Sequence, residues 1–216
     1  MRIAQGMIVA TAALALACAA ASAAPGDDGR GRRQCTDIRG YLDDERPGGR
    51  EVRAAPDPAA AVVGRILEPW TDGQARLAVS FAIEATEDGW LLIEGAGDDP
   101  VLTEGVDRPM YEGRGWIRGD RVSVGVQASQ GFAEPSHASD IIVRTGPNEL
   151  DFVAAIVACD GNWVLARWRE NPHRHYRFDP RAVVTADPLL LQAWVTGICN
   201  IQETSCDMAP GDRPED

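Results

Sequence analysis

The sequence predicts an all-β protein made of two small β units in tandem, and three observations carry that prediction. The turn-and-strand stretch Asp88-Gly89-Trp90-Leu91-Leu92-Ile93-Glu94 has an echo in Asp160-Gly161-Asn162-Trp163-Val164-Leu165. Asp and Gly tolerate the positive φ of a tight hairpin turn, and the aromatic and branched run that follows favours a buried, pleated surface. Each stretch is preceded by Val-Arg-x-x-Pro (Val52 to Pro56, Val143 to Pro147) and followed by a Trp-hydrophobic pair (Trp116-Ile117, Trp194-Val195). Apart from the N-terminal apolar run, no segment sustains a 3.6-residue apolar stripe; residues 183–196, through Leu189-Leu190-Leu191, allow one or two helical turns at most. Short strands punctuated by frequent turns point to small barrels or sandwiches.

The chain opens with Met1-Arg2, an apolar run from Met7 to Ala17 and the small residues Ala21-Ser22-Ala23. These are the parts of a secretory signal, residues 1–23, with cleavage after Ala23 because Pro25 disfavours the next bond. A membrane span needs about 20 continuous apolar residues, and this run stops sooner, so no stable membrane insertion is expected. In a rival reading Cys18 becomes a lipidated N-terminus, but Ala15-Leu16-Ala17-Cys18 puts Leu one place from where bacterial lipoprotein signals carry it. Residues 24–34, rich in Gly, Asp and Arg, read as a disordered leader.

The first unit is expected over 35–126. Val52-Arg53 precedes a loop at Pro56-Asp57-Pro58, then a strand from Ala61 to Leu67 that ends at Pro69. Leu77, Val79, Phe81 and Ile83 alternate on one face of the next strand. A hairpin at Glu87-Asp88-Gly89 returns through Trp90, and the Gly- and Asp-rich segment 95–112 reads as a surface loop or functional rim. Residues 127–139 have a linker's composition. The second unit is expected over 140–206, shorter before its hairpin but with an insertion from Arg169 to Asp187 that carries His173, His175, Tyr176 and Phe178. Residues 207–216 read as a disordered acidic tail.

A formal charge of −12, one unit more negative once Arg2 leaves with the signal, repels phosphate backbones and argues against nucleic acid and anionic membranes as partners. Cys35, Cys159, Cys199 and Cys206 form an even set in an exported chain, for which disulfides are the default. Four cysteines allow three pairings. The short polar loop between Cys199 and Cys206 favours joining those two, which leaves Cys35 with Cys159. No Cys-x-x-Cys is present, and His173 with His175 offer two metal ligands without a third, so neither a metal nor a cofactor is expected.

Val-Arg-x-x-Pro, an apolar strand ending near Gly, an Asp-Gly hairpin and Gly-Trp-hydrophobic together resemble bacterial SH3-like (SH3b) domains. The first copy matches at Val52-Arg53-Ala54-Ala55-Pro56, Val63-Gly64-Arg65-Ile66, Asp88-Gly89-Trp90 and Gly115-Trp116-Ile117; the second at Val143-Arg144-Thr145-Gly146-Pro147, Ala155-Ile156, Asp160-Gly161-Asn162-Trp163 and Trp194-Val195. The second departs from the pattern with Ala193 in place of Gly and an extra residue before Trp163. The resemblance implies two small tandem barrels and binding to peptidoglycan or protein partners in the periplasm or outside the cell.

Trp90, Trp116, Trp163 and Trp194 read first as barrel core, because small domains depend on large aromatic burial. A sharper reading has Trp116 and Tyr111 lining a groove for a sugar or stem peptide, with Arg53 and Arg144 forking onto a ligand carboxylate. Against this, the two arginines pair with neighbouring carboxylates or face solvent. Catalytic signatures are missing: the even cysteine set opposes a free thiolate, no Gly-x-Ser-x-Gly begins a serine triad, and the many carboxylates single out no pair. The expectation is therefore a non-enzymatic envelope protein that binds peptidoglycan. The alternative is a periplasmic protein-interaction module, an inhibitor or accessory subunit, steered by its negative charge to a basic partner.

Overall fold

The computed structural model describes residues 31–42, 44–71, 73, 76–98, 108–126, 128, 130–144, 153–169, 177–178 and 190–199. All regular elements among them are strands. Arg33–Leu42 (β1), Arg50–Arg53 (β2), Val62–Ile66 (β3), Trp70–Thr71 (β4), Arg76–Leu77 (β5), Val79–Glu87 (β6), Trp90–Gly97 (β7), Arg114–Arg118 (β8), Val122–Ser123 (β9) and Gly125–Val126 (β10) come first. Gln130–Phe132 (β11), Ile141–Arg144 (β12), Val153–Asp160 (β13), Trp163–Arg169 (β14), Arg177–Phe178 (β15), Leu190–Val195 (β16) and Ile198–Cys199 (β17) follow. A curled antiparallel sheet has the order β3-β2-β8-β7-β6-β1-β9, and a second has β13-β14-β16-β11-β12-β15. The ladders β4-β5 and β10-β17 are separate and short.

Both hairpins form, the first at the expected Asp88-Gly89 and the second one residue beyond the expected Asp160-Gly161. Asp88 and Gly89 take φ of 49° and 73°, and Gly161 takes 58°, so Glu87 pairs with Trp90 and Asp160 with Trp163. Gly161-Asn162 is therefore the two-residue turn, and no extra residue stands before Trp163. The ladders repeat in detail. The β6-β7 pair bulges between Ser80 and Ala82 and between Ile83 and Ala85; β13-β14 bulges at the equivalent Val153/Ala155 and Ile156/Ala158. The second bulge shifts the strand's alternation, so Phe81 and Ile83 enter one core while Ala85 turns to the opposite face. Leu77, expected beside them, lies instead in β5, paired with Trp70.

The expected register of the second copy requires correction. Phe132 pairs with Trp194 as Arg53 pairs with Trp116, so Gly131-Phe132-Ala133-Glu134-Pro135 is the counterpart of Val52-Arg53-Ala54-Ala55-Pro56. The loops agree bond for bond: Ala54 N donates to Ala61 O at 2.9 Å and Ala133 N to Asp140 O at 2.9 Å; Ala60 N donates to Asp57 O and Ser139 N to Ser136 O, both at 3.0 Å. Val143-Arg144 instead matches Gly64-Arg65, and residues 145–147 lie outside the described residues. The stretch read as linker therefore holds strand β11 and its loop, because Phe132 is buried and pairs on both sides. Arg33 and Gln34, assigned to the leader, likewise begin β1.

The two sheets share one buried cluster. Val52, Ile66, Phe81, Leu91 and Ile117 of the first sheet join Val143, Ile156, Val164 and Val195 of the second, with Val122, Val124 and Val126 between them. The seam is tight: Ile156 N donates to Gly119 O at 3.0 Å, and a Cβ on Gly119 would fall 1.9 Å from Ile156 O. Ser123 Oγ donates to Val153 O at 2.9 Å, and Thr86 Oγ1 accepts from Cys159 N at 3.0 Å. Cys35 and Cys159, 124 positions apart, are joined with Cα atoms 5.4 Å apart, the pair left over by the Cys199–Cys206 expectation. Cys206 lies outside the described residues.

Asp44, fully buried after β1, accepts from Arg50 Nε at 2.9 Å and Nη2 at 2.7 Å, and from Arg46 Nε at 2.9 Å on each oxygen. Arg50 also donates to the Arg118 and Asp120 carbonyls at 3.0 Å, tying the turn before β2 to the turn after β8. The hydrogen bonds from Arg46 outweigh the cost of burial and, with Arg50 adding bonds and charge, hold the Asp44 carboxyl well below its ordinary 3.8.

Because the folded value is depressed, Asp44's contribution is complete above about pH 4 and is lost as pH falls further. Asp44→Asn should cost about 3 kcal/mol at neutral pH, by stranding buried Arg50, and should flatten the acid loss of stability; urea titrations at neutral pH and near pH 3 measure both. Replacing Cys35 and Cys159 with Ala should cost about 2–4 kcal/mol, since the bond closes a long loop. Chemical denaturation of oxidised wild type and the double variant checks this.

Candidate binding cleft

Between Gln34 and Ile38 strand β1 leaves the β6 ladder: Gln34 faces Ala85 and Ile38 faces Ile83, so β1 spends two residues more than its partner. Asp37 absorbs the detour at φ 54°, in a region that aspartate tolerates better than most residues. The displaced stretch meets the second sheet instead, with Thr36 N donating to Gly161 O at 2.7 Å and Gly161 N to Gln34 O at 3.0 Å. A cleft of about 520 Å³ opens there, walled by Gln34, Cys35, Asp37, Ile38 and Arg39 of β1, by Ala82, Ile83 and Glu84 of β6, and by Arg114 of β8.

Its lining combines two carboxylates with two guanidiniums. Arg114 reaches over β7 and donates through Nε to Glu84 Oε2; Arg39 Nη2 donates to Ser80 Oγ at 3.2 Å. The Arg114 side chain is 54% exposed and that of Glu84 29%. An ion pair this accessible is worth roughly 0–1 kcal/mol, so an incoming ligand exchanges with it at little cost. With both signs present in equal number, the cleft suits a zwitterionic ligand better than a polyanion.

None of the ligand-binding residues expected from the sequence, Arg53, Tyr111, Trp116 and Arg144, lines this cleft. Arg53 donates to Glu51 Oε2 at 2.6 Å and to the Ala60 carbonyl at 2.7 Å, closing its own loop. Tyr111 packs against the shared core, over Gly64, and donates to the Arg114 carbonyl at 2.9 Å. Trp116 is 5% exposed and packs with Ala85, Trp90 and Leu92 on the other face of the sheet, so Tyr111 and Trp116 do not share a groove. Arg144 pairs with Gln130 and with Arg177 by backbone register. His173 and His175 lie outside the described residues, among which no group of three or more potential metal ligands occurs. No local signal marks Asp37, Arg39, Glu84 and Arg114: the three strands β1, β6 and β8 must assemble before they meet.

The tryptophans form two equivalent clusters capped by arginine. Trp90, Leu92, Trp116 and Ala85 correspond to Trp163, Leu165, Trp194 and Ala158, the second set joined by Phe132. Arg118 lies 5.3 Å from the Trp90 ring centroid, Arg32 5.5 Å from Trp116 and Arg33 5.4 Å from Trp194. Arg32, just before β1, and Arg33, its first residue, thus cover the equivalent tryptophan in each unit, and Arg33 also pairs with Asp160 at 2.7 Å. Such contacts contribute about 0.5–2 kcal/mol each.

Trp116→Ala should lower stability by about 3–5 kcal/mol through the cavity left behind. A ligand-stacking tryptophan would instead lose binding with stability unchanged; denaturant midpoints alongside binding isotherms separate the two.

No family model, no curated protein and no solved structure matches this chain.

Proposed function

We propose that the protein is a non-enzymatic binding module of the bacterial cell envelope, periplasmic or secreted, whose two SH3-like units recognise peptidoglycan. The observation that carries the reading is the charge-balanced cleft at the β1 detour, where Asp37, Glu84, Arg39 and Arg114 converge in about 520 Å³. Wall stem peptides present carboxylates and a free ammonium along an extended chain, which is the pattern that two guanidiniums and two carboxylates complement. The repeated hairpin, the tryptophan-rich units and the export-type N-terminus support the same reading. A helix long and apolar enough to cross a membrane is not found among the described residues.

A net charge of −12 favours the second reading, a protein-interaction module, because an acidic wall repels an acidic chain while a basic protein attracts it. Co-sedimentation with purified sacculi discriminates. Retention that survives high salt and falls at least tenfold in the Arg39→Ala/Arg114→Ala variant supports wall binding through the cleft. Absence of retention, or retention that the variant leaves unchanged, overturns it.

A further inference from the structure

The duplication makes each unit a reference for the other, and the comparison singles out the outer edge of β3. In the second sheet the equivalent strand, β12, does not end the sheet: β15 pairs with it antiparallel, Val143 opposite Phe178 and Arg144 opposite Arg177. In the first sheet, among the described residues, β3 is the terminal strand. Side chains at matching positions follow the same contrast. Ile142, the extra residue of the β11-β12 bulge, is 5% exposed and belongs to the shared core, whereas its counterpart Val63, the extra residue of the β2-β3 bulge, is 44% exposed. Val62 beside it is 48% exposed, and these two valines are the exposed large hydrophobics of the described residues. An uncovered strand edge with apolar side chains is a template for a further strand.

We propose that the β3 edge docks an extended segment of a basic partner protein, which adds antiparallel to β3 as β15 adds to β12. The internal precedent sets the register: the position taken by Phe178 falls opposite Gly64, and that of Arg177 opposite Arg65. Residues directly opposite in an antiparallel pair share a face. At Gly64 that face is occupied by the Tyr111 ring, which lies where a Cβ would stand, 2.0 Å from Tyr111 Cδ2. An aromatic side chain opposite Gly64 thus meets Tyr111, while Val62 and Val63 offer apolar contact beside it. The charge of −12 draws a basic segment and repels an acidic one. This inference deepens the protein-interaction reading and uses a surface separate from the cleft, so its test involves no cell-wall material.

The probe is a labelled synthetic peptide with the sequence of residues 174–181, Arg-His-Tyr-Arg-Phe-Asp-Pro-Arg, titrated against the full mature chain by fluorescence anisotropy. The expected result is saturable binding that slows hydrogen exchange at amides 62–66, weakens at least tenfold in Val62→Lys/Val63→Lys, and weakens likewise for a peptide with its arginines changed to Glu. Circular dichroism of the double variant, both positions being exposed, establishes that it folds. Absence of binding, binding indifferent to the variant, or protection confined to 141–144 by exchange with β15 would overturn the proposal. So would protection of 62–66 that appears without peptide as the chain self-associates, because the edge would then belong to a second copy.

Discussion

The structure depends on the departure of β1 from β6 between Gln34 and Ile38. A strand that kept regular pairing along β6 could not also reach the hairpin turn of the second sheet. By inserting residues at Cys35 to Asp37, β1 bonds to Gly161, places Cys35 beside Cys159 and lays Arg32 and Arg33 over Trp116 and Trp194. The same detour opens the cleft. Joining of the two units and creation of a concave, charged surface are thus two results of one backbone irregularity, in keeping with the tendency of bulges to lie where a sheet re-aims its side chains.

The repeated hairpin explains why two small units are stable together. Each presents one face to a core common to both sheets and the other to its own tryptophan cluster. Small β units seldom bury enough apolar area alone; here Val122, Val124 and Val126 fill the seam, and the disulfide closes it. The units differ where a position exposed or loop-bound in the first is packed in the second. Arg53, which closes a loop and pairs with Glu51, becomes Phe132, which joins Trp163 edge to face at 5.4 Å between centroids. Val63 becomes Ile142 and moves from solvent into the core.

This acidic chain has no lysine, and the roles seen for its arginines depend on a planar fork. Arg50 divides its donors between Asp44 and two backbone carbonyls. Arg108 grips both oxygens of Asp98 at 2.6 and 2.7 Å, and this pairing raises its pKa further despite burial. Three others lie over tryptophan rings. A lysine ammonium, a compact and strongly hydrated point charge, does not reproduce these contacts.

The sequence by itself determined the all-β class, the existence of the two hairpins and the packing of Trp90, Trp116 and Trp194, because turn chemistry and strand alternation are expressed over a few residues; cysteine parity called for disulfides, but only the fold brought Cys35 to Cys159. The sequence misled on the second Val-Arg motif: Val143-Arg144 and Gly131-Phe132 lie one strand apart, and only hydrogen-bond register tells which of them faces Trp194. Tertiary structure alone decided that the units share a core, that Tyr111 and Trp116 lie on opposite faces, and that Asp37, Arg39, Glu84 and Arg114 surround one cleft. Each of these depends on contacts between residues tens of positions apart, formed around a bulge that no local pattern announces.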